Sequence, residues 1–164
     1  MLSGTFSQWV NRYAELPREE FVRGVKEYWK DGAALREGAR LLGSESTPLH
    51  LRYLLILAAR GREEPQLVDA LGALLSHAPP RLCQEAVGAV CQLPPWTAEK
   101  VLRMGGWQAG HPLWQQAMHL LGQRYPLWRD WQLLEADAAD PEMGPDGWRH
   151  LAERLSGHLP DAWR

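Results

Sequence analysis

Only two cysteines, Cys83 and Cys91, occur in 164 residues. A disulfide framework of the kind that staples small secreted domains is therefore excluded. The two fall within one helical stretch, where the 1.5 Å rise sets them about 12 Å apart. A disulfide needs Cα atoms within about 7 Å. Two buried free thiols point to a reducing, cytoplasmic compartment. No apolar run approaches the ~20 residues that span a bilayer. The opening, MLSGTFSQW, lacks a basic region followed by an apolar one, so neither a secretory signal nor a membrane segment is expected. No segment keeps a period of two, and no strand is expected.

Signatures of chemistry are scarce as well. The chain has no G-x-S-x-G, no P-loop and no G-x-G-x-x-G; Gly105-Gly106 reads as a helix stop and turn. The histidines are His50, His77, His111, His119, His150 and His158. An acid stands at the i,i+3 or i,i+4 spacing of a helical metal site only beside His150 (Asp146, Glu153) and His158 (Asp161), no His or Cys does, and His150 with Glu153 read as surface neighbours. Cys83 and Cys91 lie among Leu82, Val87 and Val90, a setting for small core hydrophobes and not for nucleophiles. The expectation is a chain that is not an enzyme and holds no cofactor or metal. Its net charge of −2 supplies no global field for nucleic acid. Five acids and no base lie between Leu133 and Trp148, which reads as a solvated segment.

What the chain does have is a clock. Pro17, Pro48, Pro80, Pro112 and Pro145 follow one another at intervals of 31, 32, 32 and 33 residues. Each is expected to open a helix, because the N–H that proline lacks is one the first turn leaves unpaired. A fixed period of this size marks stacked repeats. The partner helices keep the same time: Ala33, Pro65, Thr97 and Arg129 lie 32 apart. ALGALLSHAP at 70–79 is echoed by AVGAVCQLPP at 86–95, half a period later.

The expected helices run from a Ser3 or Thr5 cap to Leu16, from Pro17, and from an Asp31 cap to Leu42 with Gly43 as its stop. A Thr47–Pro48 start is expected to end at Gly61. Further helices are expected at 64–77, 80–92, 97–104, 112–124, 126–138 and 145–157. Between Pro48 and Ala59 the one charged residue is Arg52, so that helix is expected to be buried on several sides. The last helix is one-sided, with Trp148, Leu151, Ala152 and Leu155 opposite Arg149, His150, Glu153 and Arg154. Terminal repeats need such a polar outer face.

The segment Pro80-Arg81-Leu82-Cys83-Gln84-Glu85-Ala86-Val87-Gly88-Ala89-Val90, followed by a break and a second helix, resembles a short HEAT-like repeat. The resemblance covers about residues 17–157. It implies an all-α, right-handed α-α superhelix of four to five helix pairs. The chain is then one domain, 1–164, with residues 3–16 as an N-terminal cap and 158–164 as a tail. The tetratricopeptide pattern of Trp-Leu-Gly, Tyr, Ala and Pro is missing.

Solenoids present extended surfaces to protein or peptide partners. The expected function is a non-catalytic interaction scaffold or adaptor. Its inner layer is taken as the helices opening near 31, 64, 97 and 126. The candidate contacts there are Arg36, Arg40, Gln66, Asp69, Lys100, Arg103, Trp128, Arg129 and Gln132. Trp and Arg dominate binding hot spots. A DNA-binding or DNA-repair HEAT-like protein is the alternative, with Arg129, Asp130 and Trp131 as its residue types; the pI of about 6.3 weighs against it. Nine tryptophans are many for a thin stack. At least one of Trp107, Trp128 and Trp163 is expected to be exposed and to bury against a partner or, in a homodimer, a second copy.

Overall fold

The computed structural model describes residues 5–108, 110–129 and Arg149. It is all-helical, with no strand among the described residues. Eight helices are described: α1 Phe6–Val10, α2 Arg18–Tyr28, α3 Gly32–Gly43, α4 Leu49–Ala59, α5 Pro65–His77, α6 Pro80–Val90, α7 Pro95–Met104 and α8 Trp114–Arg124. The chain divides into two compact units, Met1–Ala117 and Met118–Arg164.

The prolines set the helix starts in two ways. Pro65, Pro80 and Pro95 stand in the first turn, where no N–H is needed. Pro17 and Pro48 instead stand one step earlier, as N-caps with extended ψ of 147° and 142°. Their carbonyls accept the first helical bonds, from Phe21 and Arg52. The expectation that each proline occupies the first helical position is corrected there, and also at Pro112, which precedes the first residue of α8 by two. The fixed φ of proline serves both positions. In the doubled prolines, Pro79 and Pro94 are the caps, which moves the start of α7 from the expected residue 97 to Pro95.

Helix α1 is short. Thr5 closes a capping box with Gln8, but the helix stops at Val10 and residues 11–16 form turns, not the predicted run to Leu16. Asp31 caps α3 through the Ala34 N–H, as expected. Gly43 is the last residue of α3 and not a stop beyond it; it lies against α5, where a Cβ would sit 3.5 Å from the Ala70 Cα. Its carbonyl meets His77 Nε2 at 3.1 Å, which satisfies a group that a helix end leaves open. Gly61, at φ +72°, turns the chain after α4 in a conformation open to glycine. The expected helices at 126–138 and 145–157 lie largely outside the described residues; 126–129 are helical.

Within the first unit the packing follows the alternation of the chain. Helix α2 packs on α4 and α4 on α6; α3 packs on α5 and α5 on α7. Sequential neighbours α3–α4, α5–α6 and α6–α7 join the two sets. Small residues allow the approach: Gly43 and Ala70 face each other between α3 and α5, and Gly72 takes the Met104 side chain from α7. Phe21, Leu42, Leu54, Leu55, Ile56, Leu67, Leu71, Leu74 and Leu102 are among the side chains wholly withdrawn from water. Each such burial contributes up to about 1.5–3 kcal/mol.

In the second unit, Leu121 and Trp128 are buried. The Arg129 stem covers Gly122, where a Cβ would meet its Cδ at 3.0 Å.

Candidate interaction surface

Helix α4 is central to its layer, and its sequence, LHLRYLLILAA, is apolar nearly all round. Leu51, Leu54, Leu55, Ile56, Ala58 and Ala59 are buried, as expected for a helix enclosed by α2, α3 and α6. Arg52 is buried with them. Its Nε donates to the Thr47 carbonyl at 3.1 Å, and one terminal nitrogen finds no partner among the described residues.

The outward side of α4 is also apolar. Leu49, Tyr53, Leu57 and then Arg60 recur at helical spacing and fall on one face. Leu49 is 50 % exposed, and Tyr53 and Leu57 are half-buried. No charge interrupts this stripe before Arg60.

Two clefts flank it. One, of about 540 Å³, separates α4 from α2 and is lined by Val22, Arg23, Lys26, Tyr53, Leu57 and Arg60, with Arg18, Glu19 and Glu85 at its edge. The other, of about 380 Å³, separates α4 from α6 and is lined by Leu49, His50, Tyr53, Pro79, Arg81, Leu82 and Glu85. Tyr53 and Glu85 border both, so the two make one furrow across three helices. Its walls carry five bases, Arg18, Arg23, Lys26, Arg60 and Arg81, against two acids, Glu19 and Glu85. A chain of net charge −2 thus concentrates positive charge here.

Specific contacts set the walls. Arg18 meets Glu19 at 3.3 Å. Hydrogen bonding to Tyr53 and Glu19 raises the Arg18 pKa further. The Glu19 carboxyl is held below its usual range, first by a backbone N–H and then by Arg18. At the other end Arg60 lies over α6, its Nη2 3.0 Å from where a Cβ on Gly88 would be. Gly88 therefore leaves the room in which this guanidinium rests.

A wider depression of about 880 Å³ lies along α2, lined by Glu20, Arg23, Glu27, Lys30 and Asp31 among others. Its charges largely cancel, and Lys30 is already held by Glu27 at 3.0 Å. It has no apolar stripe.

The predicted contact residues distribute differently. Arg36 and Arg40 on α3, Gln66 and Asp69 on α5, and Lys100 and Arg103 on α7 are all exposed on helices that pack in succession. Two of the cations there are engaged along their own helices: Arg40 with Glu37 at 2.6 Å, and Arg103 with Glu99 at 3.0 Å. Arg103 also lies over the Trp114 ring, 5.2 Å from its centroid. The clefts described above are lined from the opposite set of helices.

Arg129 is exposed, but Trp128 is 4 % exposed and is no surface anchor. Gln132, Asp130, Trp131 and Trp163 lie outside the described residues. Of the three tryptophans among which at least one was expected to be exposed, Trp107 is 3 % exposed, Trp128 is also buried, and Trp163 is not described. The reason at Trp107 is polar: its Nε1 donates to the Leu75 carbonyl at 3.3 Å, near the end of α5, and its ring stacks on His111 with centroids 4.0 Å apart. Among the described residues the exposed tryptophan is Trp96, at 61 %. Periodicity could have found it, since Ala98, Val101 and Leu102 define the buried side of α7 and position 96 falls opposite.

Neither thiol is set up for chemistry. Burial pushes the Cys83 thiol up and the Cys91 thiol up to about 12. Cys91 Sγ lies 3.6 Å from the Ala117 carbonyl, and Cys83 Sγ 3.4 Å from that of Ala78. Among the described residues no group of three or more His, Cys, Asp or Glu converges for a metal, and no helix is long and apolar enough to cross a membrane. Comparison of the chain with protein-family models, curated proteins and solved structures finds no match.

Proposed function

We propose that this chain is a non-catalytic protein-interaction module, an adaptor or scaffold built as a HEAT-like stack of helix pairs. The alternation of contacts in the first unit, α2–α4–α6 beside α3–α5–α7, supports the stacked reading, together with the 32-residue phase of the sequence. The observation that carries the functional reading is the outward face of α4. A helix whose inner side already fills the core has no structural need for Leu49, Tyr53 and Leu57 outside. A partly exposed apolar stripe with a charged rim is the anatomy of an interface.

The test is capture of a binding partner from native cell extract by immobilised chain, with variants on each face. Leu57→Glu is expected to abolish capture and Arg40→Glu to leave it intact. The reverse pattern would return the site to the α3–α5–α7 face. Capture that survives both substitutions would remove both surfaces.

A further inference from the structure

We infer that the furrow along α4 receives an acidic amphipathic segment of a partner protein, one that presents apolar side chains on one face and carboxylates beside them. This rests on the interaction-module reading above and names the chemistry of the occupant.

The furrow has a floor and walls of different character. Leu49, Tyr53 and Leu57 form the floor along α4, extended by Val22 on the α2 side and Leu82 on the α6 side. From Leu49 to Arg60 the helix rises about 16 Å, three turns of a docked helix. The walls hold a surplus of three positive charges, five bases against two acids. The Arg18–Glu19 pair neutralises itself, and the surplus of three remains on Arg23, Lys26, Arg60 and Arg81 against Glu85. Arg23, Lys26 and Arg81 are exposed. They can turn toward carboxylates that flank an apolar ridge.

The same arrangement argues against a phosphate backbone as the occupant. Nucleic-acid sites track phosphates with a continuous basic stripe. Here Glu85 borders both clefts, and the midline is leucine and tyrosine. A strongly basic peptide would meet repulsion along α2. A purely apolar one would leave the walls without partners. The acidic amphipathic segment alone satisfies floor and walls together, in the helix-in-groove mode. Charge complementarity in such a site acts mainly on encounter rate and choice of partner, and the apolar contacts hold the complex.

Gly88 has a place in this surface. Any side chain there meets the Arg60 guanidinium across the α4–α6 gap. A large residue at position 88 would displace Arg60 and close the end of the furrow without touching its floor.

The experiment measures fluorescence anisotropy of the purified full chain with four labelled probes. These are a synthetic acidic amphipathic helix, the same helix with its apolar residues replaced by Gln, the charge-reversed helix, and a short DNA duplex. The acidic amphipathic helix is expected to bind at least about tenfold more tightly than each other probe, and less tightly as salt rises. Lys26→Glu with Arg23→Glu, and separately Leu57→Glu, are each expected to weaken it by about tenfold or more. Arg40→Glu is the control and is expected to change nothing. Thermal melts report whether each variant is folded, and these exposed or half-exposed positions are expected to keep the native transition. Equal binding of the charge-reversed helix, or no loss in the α2 and α4 variants, overturns the inference. Tighter binding of the duplex replaces it with a nucleic-acid site. Failure of all probes, while capture from extract still depends on Leu57, would overturn the stated chemistry and leave the interaction site standing.

Discussion

The Trp29 indole lies where a side chain on Gly38 would be. The ring, at the end of α2, sits directly over the glycine in α3, so that a Cβ at position 38 would overlap its Nε1, Cε2 and Cζ2. On its other side the ring meets the Arg62 guanidinium, 5.5 Å from the ring centroid, and Arg62 is bound in turn to Glu64 at 2.6 Å. One tryptophan therefore ties α2, α3 and the α4–α5 connection together. The arrangement has a counterpart one helix earlier, where the Trp9 ring occupies the notch at Gly24.

Gly38→Ala tests this relationship. In an open helix the change would stabilise by about 0.5–1 kcal/mol. Here a rigid aromatic ring must move, and overpacking costs about 1–3 kcal/mol. The net expectation is a loss of about 1–2 kcal/mol, read from denaturant unfolding. Gly32→Ala, where the nearest atom is the mobile end of Arg36 at 3.7 Å, is the control and is expected to be neutral or slightly stabilising. Equal effects at both positions would show that the Trp29 notch carries no strain.

The cysteines give a dependence on pH. The folded-state pKa of Cys91 is raised to about 12 by desolvation, and that of Cys83 is raised in the same direction. A thiol freed by unfolding ionises near pH 8.5. The folded state therefore holds these protons when the unfolded state gives them up. Their effect on stability is nil well below the unfolded pKa, and stability falls as pH rises through the interval up to the folded values. Cys91→Ala is expected to flatten that alkaline decline, measured as unfolding midpoints across the range. The native thiols are also expected to react with a thiol reagent only at the rate of opening. Rapid modification of both under native conditions would contradict the burial.

Much of this fold was legible because proline and glycine act locally. The phase of Pro17, Pro48 and Pro80, the Asp31 cap and the Gly61 turn depend on backbone angles and missing N–H groups, which one sequence displays. The helix starts slipped by one or two residues because proline serves as N-cap as readily as first helical residue, and sequence spacing does not separate the two. Trp107 stood among the candidates for exposure for a different reason. What buries it is the Leu75 carbonyl, 32 residues away, a long-range need of a helix end. The site divided along the same line. The exposure of Arg36, Arg40 and Lys100 followed from helical periodicity. The furrow did not, because Leu49, Tyr53 and Leu57 look like core until α2 and α6 are seen to pass on either side of them.

Arg52 offers a test of how the core of α4 tolerates charge. It is 5 % exposed, with a single hydrogen bond of 3.1 Å to Thr47 and one terminal nitrogen unpaired among the described residues. Arg52→Met keeps most of the volume and removes the buried charge, and such exchanges are often neutral or stabilising. Its expected effect is within about 1 kcal/mol of the native protein. Arg52→Ala opens a cavity and is expected to cost about 2–4 kcal/mol. A Met variant as damaged as the Ala variant would mean that the guanidinium holds the Thr47 turn in place.

Trp96 is expected to account for a measurable part of the fluorescence that a soluble quencher reaches. It is 61 % exposed near the start of α7, whereas Trp9, Trp29, Trp107, Trp114 and Trp128 are each below 9 %. Water-facing tryptophans are quenched by iodide, and buried ones are shielded. Trp96→Phe should therefore lower the quenchable fraction while leaving the thermal transition within the small range of exposed substitutions, about 0.5 kcal/mol. Trp107→Phe should do the opposite: the quenchable fraction rises, since a shielded emitter is lost, and the Leu75 carbonyl loses its indole donor. That loss is expected to destabilise by about 1–3 kcal/mol. If Trp96→Phe instead destabilises as strongly as Trp107→Phe, the exposed placement of this side of α7 is wrong.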